Sequence, residues 1–248
     1  MKQKILKMDV DVTHLRNAVE QTVALSEQKQ GAYVCLSNVH MCMETFDSPA
    51  FEQVVNDADL VIADGRPISW AQKLLGQSLA QQVRGQDIMT ALCERSNVTE
   101  LNIGFYGGSS DEVLTRVIAN LKMKFTEIKI SYSYSPPFRA LTDDENNAVV
   151  DGINANNVDV LFVGIGCPKQ EIWMAEHKDS LSCVMLGVGA AFDFIAGDKK
   201  HAPRWMQTIG CEWIFRLFSE PKRLWKRYLK QNPRFIFYFL KQLMLPKA

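Results

Sequence analysis

No two cysteines in this chain of 248 residues are spaced as a CxxC pair, and no apolar run approaches the roughly 18 residues needed to cross a bilayer. Cys35, Cys42, Cys93, Cys167, Cys183 and Cys211 lie scattered, mostly inside apolar runs, which argues for reduced thiols rather than disulfides or a zinc site. The opening MKQKILKMDVDV lacks the apolar core of a signal peptide, so the expectation is a cytoplasmic protein. There is no Walker sequence. Gly187-Val188-Gly189 has Phe192 where a dinucleotide fingerprint needs its third glycine, and no acid follows about 20 positions on, which weighs against a nicotinamide oxidoreductase. His40, His177 and His201 have no HExxH spacing, and no Ser-His-Asp framework is legible, so neither zinc chemistry nor nucleophilic hydrolysis has support. Repeats and low-complexity linkers are also missing. With 47% hydrophobic and 23% charged residues, the composition excludes disorder and collagen.

The formal net charge is zero, but it is unevenly distributed. From Lys199 to the end there are 12 Lys and Arg against 2 Asp and Glu, a balance of +10, so the first 198 residues carry −10. A basic, aromatic-rich terminus on an acidic body suggests a polyanionic partner: phosphate, nucleic acid or an anionic membrane surface. A solvated helical face would carry the same charges, although the interleaved Trp, Tyr and Phe favour a binding role. No RNA- or DNA-binding motif accompanies the basic tail.

The body reads as alternating strands and helices. Apolar runs of strand length lie at Ala32 to Leu36, Leu60 to Ala63, Leu101 to Tyr106, Ile128 to Tyr132, Val158 to Val163 and Cys183 to Val188. Helical spacing marks Asp87 to Arg95, Asp111 to Lys124 and Thr142 to Ala155, the last opening on a Thr-Asp-Asp-Glu capping signal. Such alternation predicts an α/β fold: a Rossmann-like, mostly parallel sheet flanked by helices, residues 1–198, with a basic helical appendage over 199–248. Ligands of open parallel sheets sit beyond the carboxyl ends of the strands.

The loops at those ends carry the candidate chemistry. Asp64 directly follows Leu60-Val61-Ile62-Ala63 and is followed by glycine, which suits a general base as well as a turn or helix cap. Gly107-Gly108-Ser109-Ser110 between strand and helix suits a phosphate cradle or plain helix entry. The triplets Asp9-Val10-Asp11 and Asp57-Ala58-Asp59 invite a metal-held sugar nucleotide, but the first precedes the sheet and the second stands at the wrong end of its strand. The segment 234–245 is apolar on nearly every face and bounded by cations. It is too short to span a bilayer, and suits either the headgroup boundary or burial as a core or dimer helix.

Six motifs in order give the chain a family likeness: Asp64-Gly65; Arg84-Gly85-Gln86-Asp87; Tyr106-Gly107-Gly108; Gly166-Cys167-Pro168-Lys169-Gln170-Glu171; Phe192 to Gly197 with Ala202-Pro203; and Glu212 to Leu217 followed by Glu220 to Leu224 and Arg227-Tyr228. Along nearly its whole length the chain resembles the WecG/TagA/CpsF glycosyltransferases. That resemblance implies an inverting, metal-independent bacterial enzyme moving a hexose from a UDP-sugar to a polyprenyl-diphosphate-linked saccharide in surface glycan biosynthesis. It implies no cofactor, N-acetylmannosamine or its uronic acid as preferred donor sugar, and peripheral attachment to the anionic inner face of the cell membrane. UDP-glucose or another UDP-hexose in exopolysaccharide assembly is the alternative, and a nucleic-acid-binding protein the rival from another class. Homo-oligomerisation stays open.

By the same resemblance Asp64 is the base, with Asn38, Arg84, Gly107, Gly108, Gln170, Arg216, Arg223, Lys226 and Arg227 around the substrates. Transfer needs a base for the acceptor hydroxyl, and the departing diphosphate needs cations, which arginines supply bidentately where no metal does. Arg216, Arg223 and Arg227 would share one face of a continuous helix, but Pro221 interrupts it. Teichoic-acid members carry Thr where Leu36 stands, and Ser37 points to the opposite side of its strand. Arg84 and Asp87 form a pair that is structural or substrate-facing, and Glu171 could be a first-turn acid.

Overall fold

A computed structural model describes residues 1–203, 205–206 and 210–244; the side chain of Arg223 is outside that description. The chain opens with an antiparallel hairpin, β1 (Lys2–Ile5) and β2 (Met8–Asp11), in which Lys2 pairs with Asp11 and Ile5 with Met8. The rest alternates as expected: α1 (Leu15–Gln28), β3 (Ala32–Ser37), α2 (Val39–Asp47), α3 (Pro49–Asn56), β4 (Leu60–Ala63), α4 (Arg66–Leu74), α5 (Gly85–Ser96), β5 (Ile103–Gly107), α6 (Asp111–Lys124), β6 (Ile130–Tyr134), α7 (Asp143–Ala155), β7 (Val160–Gly164), α8 (Lys169–His177), β8 (Val184–Gly187) and α9 (Ala191–Ile195). Two further helices follow, α10 (Glu212–Ser219) and α11 (Pro221–Met244).

Strands β3 to β8 form one sheet in the order β4-β3-β8-β7-β5-β6, with every neighbouring pair parallel. A parallel sheet covered by helices on both faces needs strands apolar on both sides, and Leu60–Ala63 and Val184–Gly187 are buried throughout. One face packs α2, α3, α7 and α8 through residues such as Met41, Val55, Ile153 and Met174; the other packs α5, α6 and α9 through Leu92, Val117 and Phe192. The chain therefore leaves β3 toward one face and β8 toward the other, and a crevice opens between their carboxyl ends.

Local chemistry sets the helix starts. Asn38 caps α2 by accepting from the backbone N–H groups of His40 (3.0 Å) and Met41 (3.3 Å). Ser48 caps α3, with Pro49 at its first turn, and Thr142 and Glu145 form a reciprocal capping box on α7. At the C-terminal end, α10 stops at Ser219 and α11 begins at Pro221, so the proline does divide the arginine-bearing segment.

Helix α11 is anchored on α2. Phe235 and Phe239, one turn apart, are buried in the core; Tyr238 lies 4.5 Å from the Phe46 ring; and both Arg234 terminal nitrogens pair with Asp47 at 2.6 and 2.8 Å. Gln242 Oε1 accepts from the Leu6 N–H at 2.8 Å, tying the helix to the opening hairpin. Its outer face leaves Ile236, Phe237, Leu240 and Met244 exposed. Thus one face of this apolar segment belongs to the core and the other does not.

Candidate active site

A cavity of about 730 Å³ opens over the carboxyl ends of β3, β4, β7 and β8 and is roofed by α10 and α11. Asp64 stands on its floor. The backbone N–H of Asp64 donates to Ser37 O (2.8 Å), its carbonyl accepts from Gln82 Nε2 (2.8 Å), and its Oδ1 accepts from the Gly85 N–H (2.9 Å). Three bonds from three segments hold the residue, one of them on the carboxylate, and Oδ2 is not used by any of them. Burial pushes its pKa up to about 6, against the lowering effects of the Gly85 N–H, Arg216 and Arg84 and with a further push from Glu212. At neutral pH the group is ionised and more basic than an ordinary carboxylate, as a general base should be.

Neighbouring charged side chains define the cavity's electrostatics. Arg84 Nε donates to Asp87 Oδ2 at 2.8 Å, and its NH1 lies 3.5 Å from Glu212 Oε1, so the pair foreseen from sequence extends to a third member on α10. Arg216 and Arg227 enter from α10 and α11, and Arg66 from the first turn of α4. The Arg216 guanidinium sits 5.6 Å from the Phe194 ring centroid, and its Nε is buried without a hydrogen-bond partner. An apolar wall on one side and low dielectric around it make this cation an effective stabiliser of charge appearing in the cavity.

Gln170 is 3% exposed and reaches the cavity between Gly166 and Gly187. Its Oε1 accepts from the Gly166 N–H at 3.1 Å and its Nε2 donates to Glu171 Oε1 at 2.7 Å. A Cβ at Gly187 would fall 2.8 Å from that Nε2, so glycine there makes room for the amide. Glu171 is fully buried rather than a solvated first-turn acid: burial drives its pKa up to about 7, opposed by Gln170, the Cys167 thiol and Arg227. Among the described residues no cluster of three or more His, Cys, Asp or Glu is placed to hold a metal ion.

Asn38 lines the cavity, but its carbonyl oxygen is committed to the α2 cap, leaving the amide nitrogen to face a ligand. Leu36 lines it as well, whereas the Ser37 hydroxyl donates to Ile62 O inside the sheet and cannot replace the missing threonine. Gly107 and Gly108 do not line the cavity. They sit between β5 and β7, where a Cβ at Gly107 would strike the Gly164 backbone, and the helix they lead into carries Asp111 and Glu112 in its first turn, which disfavours phosphate there. Lys226 is exposed outside the cavity with its Nζ 5.5 Å from the Trp225 ring. The Arg223 side chain lies outside the described residues.

Sequence reasoning did not single out Arg66, Trp70 or Glu212 as lining residues, nor assign His40 to the site. Arg66 could have been found from its position two residues after Asp64. His40 Nδ1 is 3.4 Å from Glu44 Oε1, and burial together with Arg227 lowers the imidazole pKa to about 4, so the ring is neutral at physiological pH.

The model of the glycosyl transferase WecG/TagA/CpsF family matches residues 3–248 of the chain. An N-acetylglucosaminyldiphosphoundecaprenol N-acetyl-beta-D-mannosaminyltransferase of Bacillus spizizenii is 28% identical over 235 residues, covering 94% of this chain and 88% of its own length. A protein of the same description from Staphylococcus aureus strain MW2 is 28% identical over 243 residues, 97% of this chain and 92% of its own. With the match running through every element of the cavity, the chain belongs to the WecG/TagA/CpsF family and is a glycosyltransferase.

Proposed function

We propose that this enzyme transfers N-acetylmannosamine from its UDP-sugar to an N-acetylglucosamine carried on a polyprenyl diphosphate, with Asp64 as base and arm arginines in place of a metal. The observation that carries the reading is a basic carboxylate, Asp64, that lines the same cavity as Arg216 and Arg227. The activity for which the Bacillus and Staphylococcus relatives are named supports the choice of donor and acceptor.

In the proposed reaction Asp64 takes the proton of the acceptor hydroxyl as its oxygen attacks the anomeric carbon. The bond from that carbon to the UDP oxygen breaks on the opposite face, and the electron pair leaves with the diphosphate. Arg216 and Arg227 meet the charge that develops there, and Arg84 is held ready by Asp87 and Glu212. Gln170 and the Asn38 amide orient sugar hydroxyls. Helices α10 and α11 of the C-terminal segment act as an arm that closes the site, while the α/β body supplies its floor.

The same arm would bring the enzyme to its acceptor. Phe218, Trp225, Leu229, Phe237 and Leu240 are exposed alongside exposed Lys222, Lys226, Lys230 and Lys241, a face suited to an anionic headgroup layer at about 1 kcal/mol per cation. No helix among the described residues is long and apolar enough to cross a membrane. The deciding assay supplies purified enzyme with radiolabelled UDP-N-acetylmannosamine and N-acetylglucosaminyl-diphosphoundecaprenol in anionic vesicles. Label in the lipid fraction, abolished by Asp64→Asn, is expected; transfer only from a different UDP-hexose would replace the donor assignment, and transfer by the Asp64 variant would remove the base.

A further inference from the structure

One helix beside the base carries a gradient from charge to grease. Arg66, Trp70 and Leu74 recur every four residues along α4 and so form a single stripe, spanning about 12 Å at 1.5 Å per residue. All three line the cavity, while the opposite side of the helix, Ile68 and Gln72, is buried. Trp70 is 43% exposed and Leu74 67% exposed, so the stripe contributes little to folding and leaves apolar surface that a ligand can cover. The charged end lies nearest Asp64. Across the cavity, Trp213 and Leu217 extend the apolar lining from α10. The arm passes over the start of the stripe, since a Cβ at Gly210 would meet Trp70 at 2.3 Å and Arg66 at 3.1 Å.

We propose that the Arg66–Trp70–Leu74 stripe of α4 is the track for the acceptor's lipid diphosphate: Arg66 binds the diphosphate, and Trp70 and Leu74 hold the first isoprene units. This rests on the acceptor class proposed above. The acceptor hydroxyl must meet Asp64, so whatever is attached to that sugar continues outward from the base. A diphosphate followed by a branched hydrocarbon chain matches a guanidinium followed by apolar side chains, in the same order. A sugar nucleotide, polar at both ends, has nothing that needs Leu74.

The test uses full-length enzyme in detergent micelles with two acceptors, N-acetylglucosaminyl diphosphate esterified to undecaprenol or to methanol. Trp70→Ser with Leu74→Ser is expected to raise the KM of the undecaprenyl acceptor by ~10-fold or more, bring the ratio between the two acceptors toward one, and leave the donor KM unchanged. Arg66→Gln raises the KM of both diphosphates while leaving an alkyl glycoside without phosphate unaffected. An unchanged acceptor ratio overturns the track. So does a raised donor KM, which would mean that Trp70 stacks on the nucleotide base, or an equal loss on both acceptors with weaker sedimentation on acceptor-free vesicles, which would make the stripe a membrane contact. A parent enzyme that transfers to neither diphosphate overturns the acceptor assignment and the track with it; one that transfers normally while the ratio stays put overturns the track alone.

Discussion

Replacing Asp64 by Asn should make the protein more stable as it makes the enzyme inactive. The carboxylate's proton affinity rises from the ordinary 3.8 to about 6 because burial penalises the charge more than Gly85, Arg216 and Arg84 compensate it. At pH 7 the ionised side chain therefore costs the fold about 2–3 kcal/mol. Asparagine keeps an oxygen for the Gly85 N–H and carries no charge, so the cost is removed. For a chain of this size each kcal/mol is worth roughly 2–4 °C, and the variant should melt about 5–10 °C higher at pH 7 to 8. The sign follows from linkage: a raised folded-state pKa stabilises below the unfolded value and loses that stabilisation as pH rises through the folded value. The gap between variant and parent should be near zero below pH 4, open between pH 4 and 6, and stay constant above. Melting curves by calorimetry across that range, run beside transfer assays whose kcat/KM falls below about pH 6 in the parent, check both halves. A gap independent of pH, or an Asp64 variant that transfers at near-parental rate, would refute the coupling of strain and catalysis at this carboxylate.

Three other outcomes are expected. Arg216→Gln should lower kcat by about 10²-fold with a smaller change in donor KM, because its cation acts on charge that appears only as UDP departs; steady-state kinetics showing a KM effect alone would make it a ground-state binding residue. Transfer should persist undiminished in EDTA, since the cavity opposes its diphosphate with guanidinium groups; loss of turnover on chelation, restored by magnesium or manganese, would end the metal-free mechanism. Glu171→Gln, which still offers an oxygen to Gln170 Nε2, should keep the parental donor KM, while Glu171→Leu should raise it up to tenfold, the worth of one lost orienting hydrogen bond; equal losses in both variants would reduce Glu171 to a packing residue.

Much of this architecture is legible in the sequence because a parallel sheet writes itself as short apolar runs separated by helical periodicity. Leu60–Ala63 falls at the predicted place, and the other five strands of the sheet lie within two residues of theirs. The opening hairpin escapes because Lys2–Ile5 and Met8–Asp11 are too short and too charged to stand out, and their burial comes from α4, β4 and the distant Gln242 rather than from local pattern. Of the proposed site, Asp64 is visible through its position at a strand end, and Arg84 with Asp87 through the family likeness. Gln170 and Asn38 are visible only by likeness, since capping and burial decide which of their atoms remain available.

What sequence reasoning handles least well is the distinction between two carboxylates that look alike. Asp64 directly follows β4 and Glu171 lies in the first turn of the helix after β7, and each is pushed up by burial, to about 6 and about 7. Only their neighbours separate them. Asp64 lines the cavity and has three charged groups near it, whereas Glu171 does not line it, gives its Oε1 to Gln170 and lies against the Cys167 thiol. A base must touch the proton it removes, so Asp64 qualifies by access and Glu171 does not, even though its proton affinity lies closer to neutrality. The physical work of Glu171 is then exerted through Gln170: by occupying one amide hydrogen it fixes the carboxamide plane and leaves the second hydrogen with a single direction in which to donate. Geometry ranks these two acids where pKa alone would rank them the other way.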